Sequence, residues 1–267
     1  MLKDITLGQF FPGESVVHRL DPRTKLILIV VYVAALFAAK WFVSYALVLL
    51  CLSAVIAVSG VKPKTIFKSM KPLLFIIVLT GVLNLFYTDG DVLVKLWFVT
   101  ITRQGLEKAL FMILRITLLV TGTFMLTYTT SPIALTDGLE QLLRPLNRIK
   151  VPVHELSMMM CIALRFIPTL TQETDKIISA QKARGADFES GNLARRAKAL
   201  VPILVPLFVS SFRRADELAT AMECRCYHGG EGRTKMKQLH YRKVDVYAFL
   251  VGAAFLAATI TLRIFGL

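Results

Sequence analysis

The sequence predicts an all-α integral membrane protein, with about five transmembrane helices plus a cytoplasmic or interfacial helical coupling domain. Three observations predict this. Hydrophobic residues make up 55% of the 267, and a mean hydropathy of +0.61 is too high for a soluble domain of this size. Apolar runs near the length of a bilayer crossing recur along the chain. Lys and Arg total 32 against 18 Asp and Glu, and a net charge of +14 cannot sit in hydrocarbon, so it must be segregated along the chain.

Residues 26–39 and 42–59 are apolar runs separated by Lys40 and Trp41, and they read as a helical hairpin. The first arm is short for a span, but Trp41 suits the interface and Lys40 can snorkel. Arg23 and Lys25 before it, and Lys62, Lys64, Lys68 and Lys71 after it, place both ends of the hairpin in the cytoplasm. Residues 73–87 form a third span carrying Asn84, closed by the acidic turn Thr88-Asp89-Gly90-Asp91 on the outer face. Residues 92–102 hold Lys95 and read as a short interfacial or re-entrant piece, not a crossing. A fourth span covers 106–128 and is interrupted by Arg115, and 246–265 makes a fifth. Five crossings put the N-terminus inside and the C-terminus outside. The first ten residues, with Lys3 and Asp4, do not read as a secretory signal.

Residues 144–243 differ in character, with eighteen Lys and Arg against nine Asp and Glu, and apolar residues in clusters. This segment reads as cytoplasmic helices over 132–146, 152–183 and 193–226, with Pro132 and Pro152 in first-turn positions and Gly185 as a stop. Pro202 and Pro206 predict a kink in the third. The chain thus divides into N-terminal spans (1–130), coupling helices (131–243) and a C-terminal span (244–267).

Neither Gly-x4-Gly-Lys-Ser/Thr nor Gly-x-Gly-x-x-Gly occurs, so the chain lacks a backbone nest for nucleotide phosphates. His154-Glu155 begins like a metalloprotease box, but Met158 stands where the second histidine belongs. Cys224, Cys226 and His228 are too few and too poorly spaced for a structural zinc. No paired carboxylates or nucleophile–base set appears, so no enzyme, cofactor, metal or nucleic-acid partner is expected. Cys51 and Cys161, with Cys224 and Cys226, do not form a disulfide framework.

The informative pair is Ala183-Arg184-Gly185 and Cys224-Arg225-Cys226, each an arginine between small residues near the end of a long helix. Small flanks let another protein approach, and a guanidinium there can hold a carboxylate through two hydrogen bonds. The plainer reading is that both arginines only favour their helix C-termini electrostatically. Arg115 and Arg165 lie in apolar surroundings and must pair, snorkel or meet water. With Asn84 they are the candidate membrane-buried polar residues, and would line the path if the chain were a self-sufficient carrier or channel.

His18-Arg19-Leu20-Asp21-Pro22-Arg23-Thr24-Lys25 resembles the start of the transmembrane T component of energy-coupling factor (ECF) transporters. Leu164-Arg165-Phe166-Ile167-Pro168-Thr169, then 180–186 around Arg184, then Ala221-Met222-Glu223 leading into Arg225 and Tyr227, resemble that family in the same order. The resemblance implies a scaffold in a bacterial or archaeal cell membrane. It would join two ABC-type ATPase subunits to a substrate-binding membrane S component that captures a vitamin or a metal. Arg184 and Arg225 would seat the coupling helices in ATPase grooves. The family's second motif commonly reads Ala-Arg-Gly, whereas cysteines flank Arg225 here, which leaves open the backbone geometry after it.

Overall fold

The computed structural model describes residues 10–88, 91–96, 99–186, 188, 192–230, 236 and 238–265. Along the chain it has α1 (Val16–Arg19), α2 (Pro22–Ala38), α3 (Phe42–Ser59), α4 (Pro63–Met70), α5 (Leu74–Tyr87), strands β1 (Val92–Leu96) and β2 (Val99–Thr102), and α6 (Arg103–Thr129). There follow α7 (Pro132–Leu143), α8 (Val153–Ala183), α9 (Leu193–Glu223) and α10 (Lys243–Phe265). Part of the predicted acidic turn, Asp89-Gly90, lies outside the described residues. Two compact units separate, one of Gly8–Leu139 with Leu239–Leu267 and one containing Glu140–Gln238.

In the first unit, proline and capping residues start the helices where the sequence changes character. Asp21 caps α2 with Pro22 in its first turn, and Thr102 caps α6 by accepting from the Gly105 N–H. Gly60, at φ 72°, ends α3 in the left-handed conformation. The core gathers Leu36, Tyr45, Val48, Leu118, Met125 and Tyr128 from α2, α3 and α6. Tyr32 lies so close to Gly122 that no Cβ fits there, and its hydroxyl donates to the Leu118 carbonyl at 2.9 Å. Phe75, Leu250 and Val251 are apolar yet exposed, as residues facing lipid are.

Among the described residues, five helical segments are long and apolar enough to cross a membrane: Phe42–Ser59, Pro63–Tyr87, Arg103–Thr129, Val153–Ala183 and Lys243–Phe265. Four coincide with predicted spans. The fifth is α8, which the sequence reads as a coupling helix, and the predicted first span forms α2, a helix of 17 residues and about 26 Å packed against α10 and α6.

The fold is helical as expected, with one short β element between α5 and α6. Val92–Leu96 and Val99–Thr102 pair as two antiparallel strands, Val94 opposite Ile101 and Leu96 opposite Val99. β-branched residues dominate this stretch, and strands pair their backbone groups without a helix. Strands of 5 and 4 residues fall short of the roughly 9–11 a crossing strand needs, so this piece does not span.

In the second unit α8 and α9, each of 31 residues, pack against each other. Both run unbroken through their prolines, Pro168 in α8 and Pro202 and Pro206 in α9. The third predicted helix ends at Glu223, not 226, because the residues after it turn into a cap.

Candidate docking tips on an antiparallel helix pair

The candidate site is built on the contact between α8 and α9. Glu173 on α8 accepts hydrogen bonds from Ser210 and Arg214 on α9, and all three are partly buried. Two turns earlier, Phe166 lines a hollow with Glu217 and Leu218. Earlier still, His154 at the start of α8 leaves no room for a Cβ on Gly230, beyond the end of α9. Rising numbers on α8 therefore meet falling numbers on α9, and the helices run antiparallel. Arg184 and Arg225 leave the Glu173–Arg214 pair in opposite directions. Each arginine lies eleven residues past its braced partner, so each arm is about 16 Å and the tips are on the order of 30 Å apart.

Both tips close in the same way. Beyond α8, Arg184 is the last residue of helical character, Gly185 has φ 86°, the Gly185 N–H donates to Lys182 O and the Ala186 N–H to Gln181 O, both at 3.0 Å. Beyond α9, the Cys226 N–H donates to Glu223 O at 2.8 Å and the Tyr227 N–H to Met222 O at 3.0 Å, with Cys226 at φ 54°. These are two Schellman caps in one register, each with arginine just before the left-handed residue. The missing glycine does not change the turn, because Cys226 adopts the left-handed conformation that Gly185 adopts at the first tip. Ala183, Arg184, Gly185, Cys224, Arg225 and Cys226 are all exposed. Among the described residues neither guanidinium has an ion pair or hydrogen bond, so both are available to a carboxylate from outside.

The other singled-out polar residues lie elsewhere. Arg115 is half-buried in the first unit. It donates to the Tyr45 hydroxyl at 2.9 Å and to the Ala39 carbonyl at 3.3 Å, where a cation suits the C-terminus of α2. Asn84 donates to Thr80 O of its own helix at 2.9 Å. Arg165 is exposed on α8. The structure does not bring these three together: Arg115 is bound to the ends of α2 and α3, and Arg165 belongs to the other unit. Cys224 and Cys226 are thiols, and among the described residues no three His, Cys, Asp or Glu side chains converge as metal ligands.

The His18–Lys25 motif proves to be a latch at the base of α2. Asp245, buried at the start of α10, accepts from the Asp21 N–H and the Arg242 N–H, both at 2.8 Å. Arg23 donates to Asp21 and to Leu239 O and lies 4.0 Å over the Tyr241 ring. Lys25 donates to Thr129 O at 2.8 Å and to the Thr130 hydroxyl at 3.0 Å at the end of α6. Burial would raise the Asp21 carboxyl, but hydrogen bonds from the Arg23 side chain and backbone outweigh it and hold the group below the ordinary aspartate value.

Reading the sequence missed two further features. The Glu173 brace was one, although its eleven-residue step to Arg184, repeated from Arg214 to Arg225, was visible. The other is Glu140, which accepts from Ser157 at 2.8 Å and pairs with His154 at 3.0 Å, pinning the start of α8.

Fold and site together define a multi-pass helical membrane protein whose buried charges tie its own helices and whose exposed arginines end an antiparallel pair. The chain belongs to the family described as cobalt transport protein (CbiQ), which matches residues 13–236. It is 55% identical over 249 residues to a protein of Thermosediminibacter oceani named energy-coupling factor transporter transmembrane protein EcfT, covering 93% of this chain and 94% of that one. Proteins of the same name are 51% identical over 263 residues in Ruminiclostridium cellulolyticum (98% of both chains) and 48% identical over 259 residues in Bacillus subtilis (97% of both). The chain is accordingly a multi-pass bacterial membrane protein of the ECF transporter transmembrane component type.

Proposed function

We propose that this chain is the transmission subunit of an ECF-type importer, coupling two ABC-type ATPases to a separate substrate-binding membrane subunit that takes up a vitamin or a metal. The observation that carries the reading is the pair of equal arms. One braced antiparallel helix pair ends, at each extremity, in the same turn and the same exposed arginine, unpaired among the described residues. Two sites on the order of 30 Å apart suit two partners better than one. In this reading Arg184 enters a groove of one ATPase and Arg225 a groove of the other, each held by carboxylates. The N-terminus and residues 131–243 face the cytoplasm, where the ATPases and their nucleotide are.

Closure of the ATPases on ATP then shifts the two tips, and the Glu173–Arg214–Ser210 brace makes α8 and α9 move as one body. Leu200, Leu204, Phe208 and Phe212 repeat every four residues on α9 and are all exposed, an apolar face suited to passing that shift to the substrate-binding subunit. Substrate recognition belongs to that subunit.

The double substitution Arg184→Glu with Arg225→Glu tests the reading by copurification and uptake. It should release the ATPases and abolish substrate uptake while the chain still reaches the membrane. ATPases that remain bound, with uptake intact, would refute the docking role.

A further inference from the structure

The first unit holds an apolar cavity of about 480 Å³ among α2, α3, α6 and α10 that the coupling role does not use. Its rims, Val55 and Val58 on α3 and Tyr247 and Val251 on α10, are themselves exposed, so it opens sideways between these two helices. One end is marked by Leu20, Val58 and Val244 and the other by Tyr32, Cys51 and Phe255. From Val244 to Phe255 is eleven residues of α10, about 16 Å. Half of a hydrocarbon core of roughly 30 Å is close to that length. The slot therefore runs from one edge of the bilayer to its middle.

Charge distinguishes the two ends. Arg242 and Lys243 are exposed beside Val244, and Arg19, loosely paired with exposed Glu14 at 3.7 Å, adjoins Leu20. Lys25 also reaches this end, but its ammonium is committed to Thr129 and Thr130. The acidic groups nearby, Asp21 and Asp245, are buried and already accept hydrogen bonds, so the exposed charge at the mouth is basic.

We propose that this slot binds one acyl chain of an anionic phospholipid from the adjacent leaflet, with the headgroup phosphate held by Arg242 and Lys243. Volume argues against a neighbouring helix as occupant. A helix 10–12 Å across and about 16 Å long fills roughly 1,250–1,800 Å³, about three times the space, whereas a single chain is slender enough to enter. The slot offers the chain a protein-lined course through its own leaflet. The paired basic side chains add an attraction that a zwitterionic headgroup lacks.

The test uses the full chain in phosphatidylglycerol and phosphatidylcholine vesicles containing phosphatidylglycerol with a photoactivatable diazirine near the acyl terminus, adducts being mapped by mass spectrometry. Adducts should concentrate at Tyr32, Cys51 and Phe255, well above those on the exposed residues Phe75 and Leu79 of α5. Equal labelling of α5 and the slot, or none in the slot, would overturn the proposal, the latter leaving it to a neighbouring helix. Moving the diazirine to phosphatidylcholine should lower slot labelling about fivefold per lost charge contact. Arg242→Gln with Lys243→Gln should remove that preference while the chain is still labelled. If the preference survives this change, the headgroup assignment is wrong. Ala248→Phe, which fills the slot, should suppress labelling there and leave α5 labelling unchanged, and undiminished slot labelling would also count against it.

Discussion

The two units of the molecule treat charge in opposite ways. In the membrane unit Asp21, Arg23, Lys25, Arg115 and Asp245 are buried or half-buried, and each is paired with a group of the same unit. In the unit of the antiparallel pair, Glu173 and Arg214 satisfy each other at the middle, while Arg184 and Arg225 at the ends are exposed and uncommitted among the described residues. A charge surrounded by lipid and protein has no water to fall back on, so it must be satisfied within the fold. An arginine at an exposed tip keeps its hydration and is free to exchange it for a partner's carboxylate. Charge in the first unit therefore holds the structure, and charge at the tips of the second stays at the surface, as the proposed docking role requires.

The sharpest way to break this contrast is at Asp245. Asp245→Ala leaves the N–H groups of Asp21 and Arg242 without their acceptor and should cost about 2–4 kcal/mol, read as a lowered thermal midpoint of the solubilised protein. A midpoint unchanged by this substitution would mean that the latch does not hold α2 and α10 together.

The two tips give a smaller and signed effect. Cys226 bears the cost of a left-handed residue with a side chain, so Cys226→Gly should stabilise the chain by about 1 kcal/mol. Gly185→Cys should destabilise it by a similar amount, since the Cβ meets nothing within 4 Å and only the backbone term changes. The same sign for both substitutions in denaturation experiments would show that the tips are not equivalent turns.

The smallest effect on stability belongs to the arginines themselves. Arg184→Ala and Arg225→Ala should each shift stability by less than about 0.5 kcal/mol, because an exposed side chain without a partner has nothing in its own fold to lose. Under the proposed docking role, binding of purified ABC-type ATPase subunits, measured alongside, should nonetheless weaken. A large loss of stability with unchanged binding would move these residues from docking to fold maintenance.

Much of the fold was legible because hydrocarbon imposes a length and a composition that a linear reading can detect. The runs at 42–59, 73–87, 106–128 and 246–265 all appear as apolar helices. The hairpin at Val92–Thr102 was harder, since short β-branched runs carry no distinctive period and their pairing depends on register. At the tips, arginine between small residues drew attention to the right positions, but the equivalence of Gly185 and Cys226 did not follow from residue type. A left-handed cysteine is against its intrinsic preference, and it is held there by the hydrogen bonds of the cap.

The sequence by itself determined that this chain resides in a membrane, where its apolar helices run, and which two arginines stand out, because each of these depends on residues close together in the chain. Tertiary structure decided that Asp245 completes the base of α2 across 224 residues, that Arg115 closes the ends of α2 and α3, and that Glu173 locks α8 to α9 so that the two arginines point away from each other. The physical reason is that hydrogen bonds and ion pairs of this kind depend on the meeting of distant segments, which a pattern of neighbouring residues does not encode.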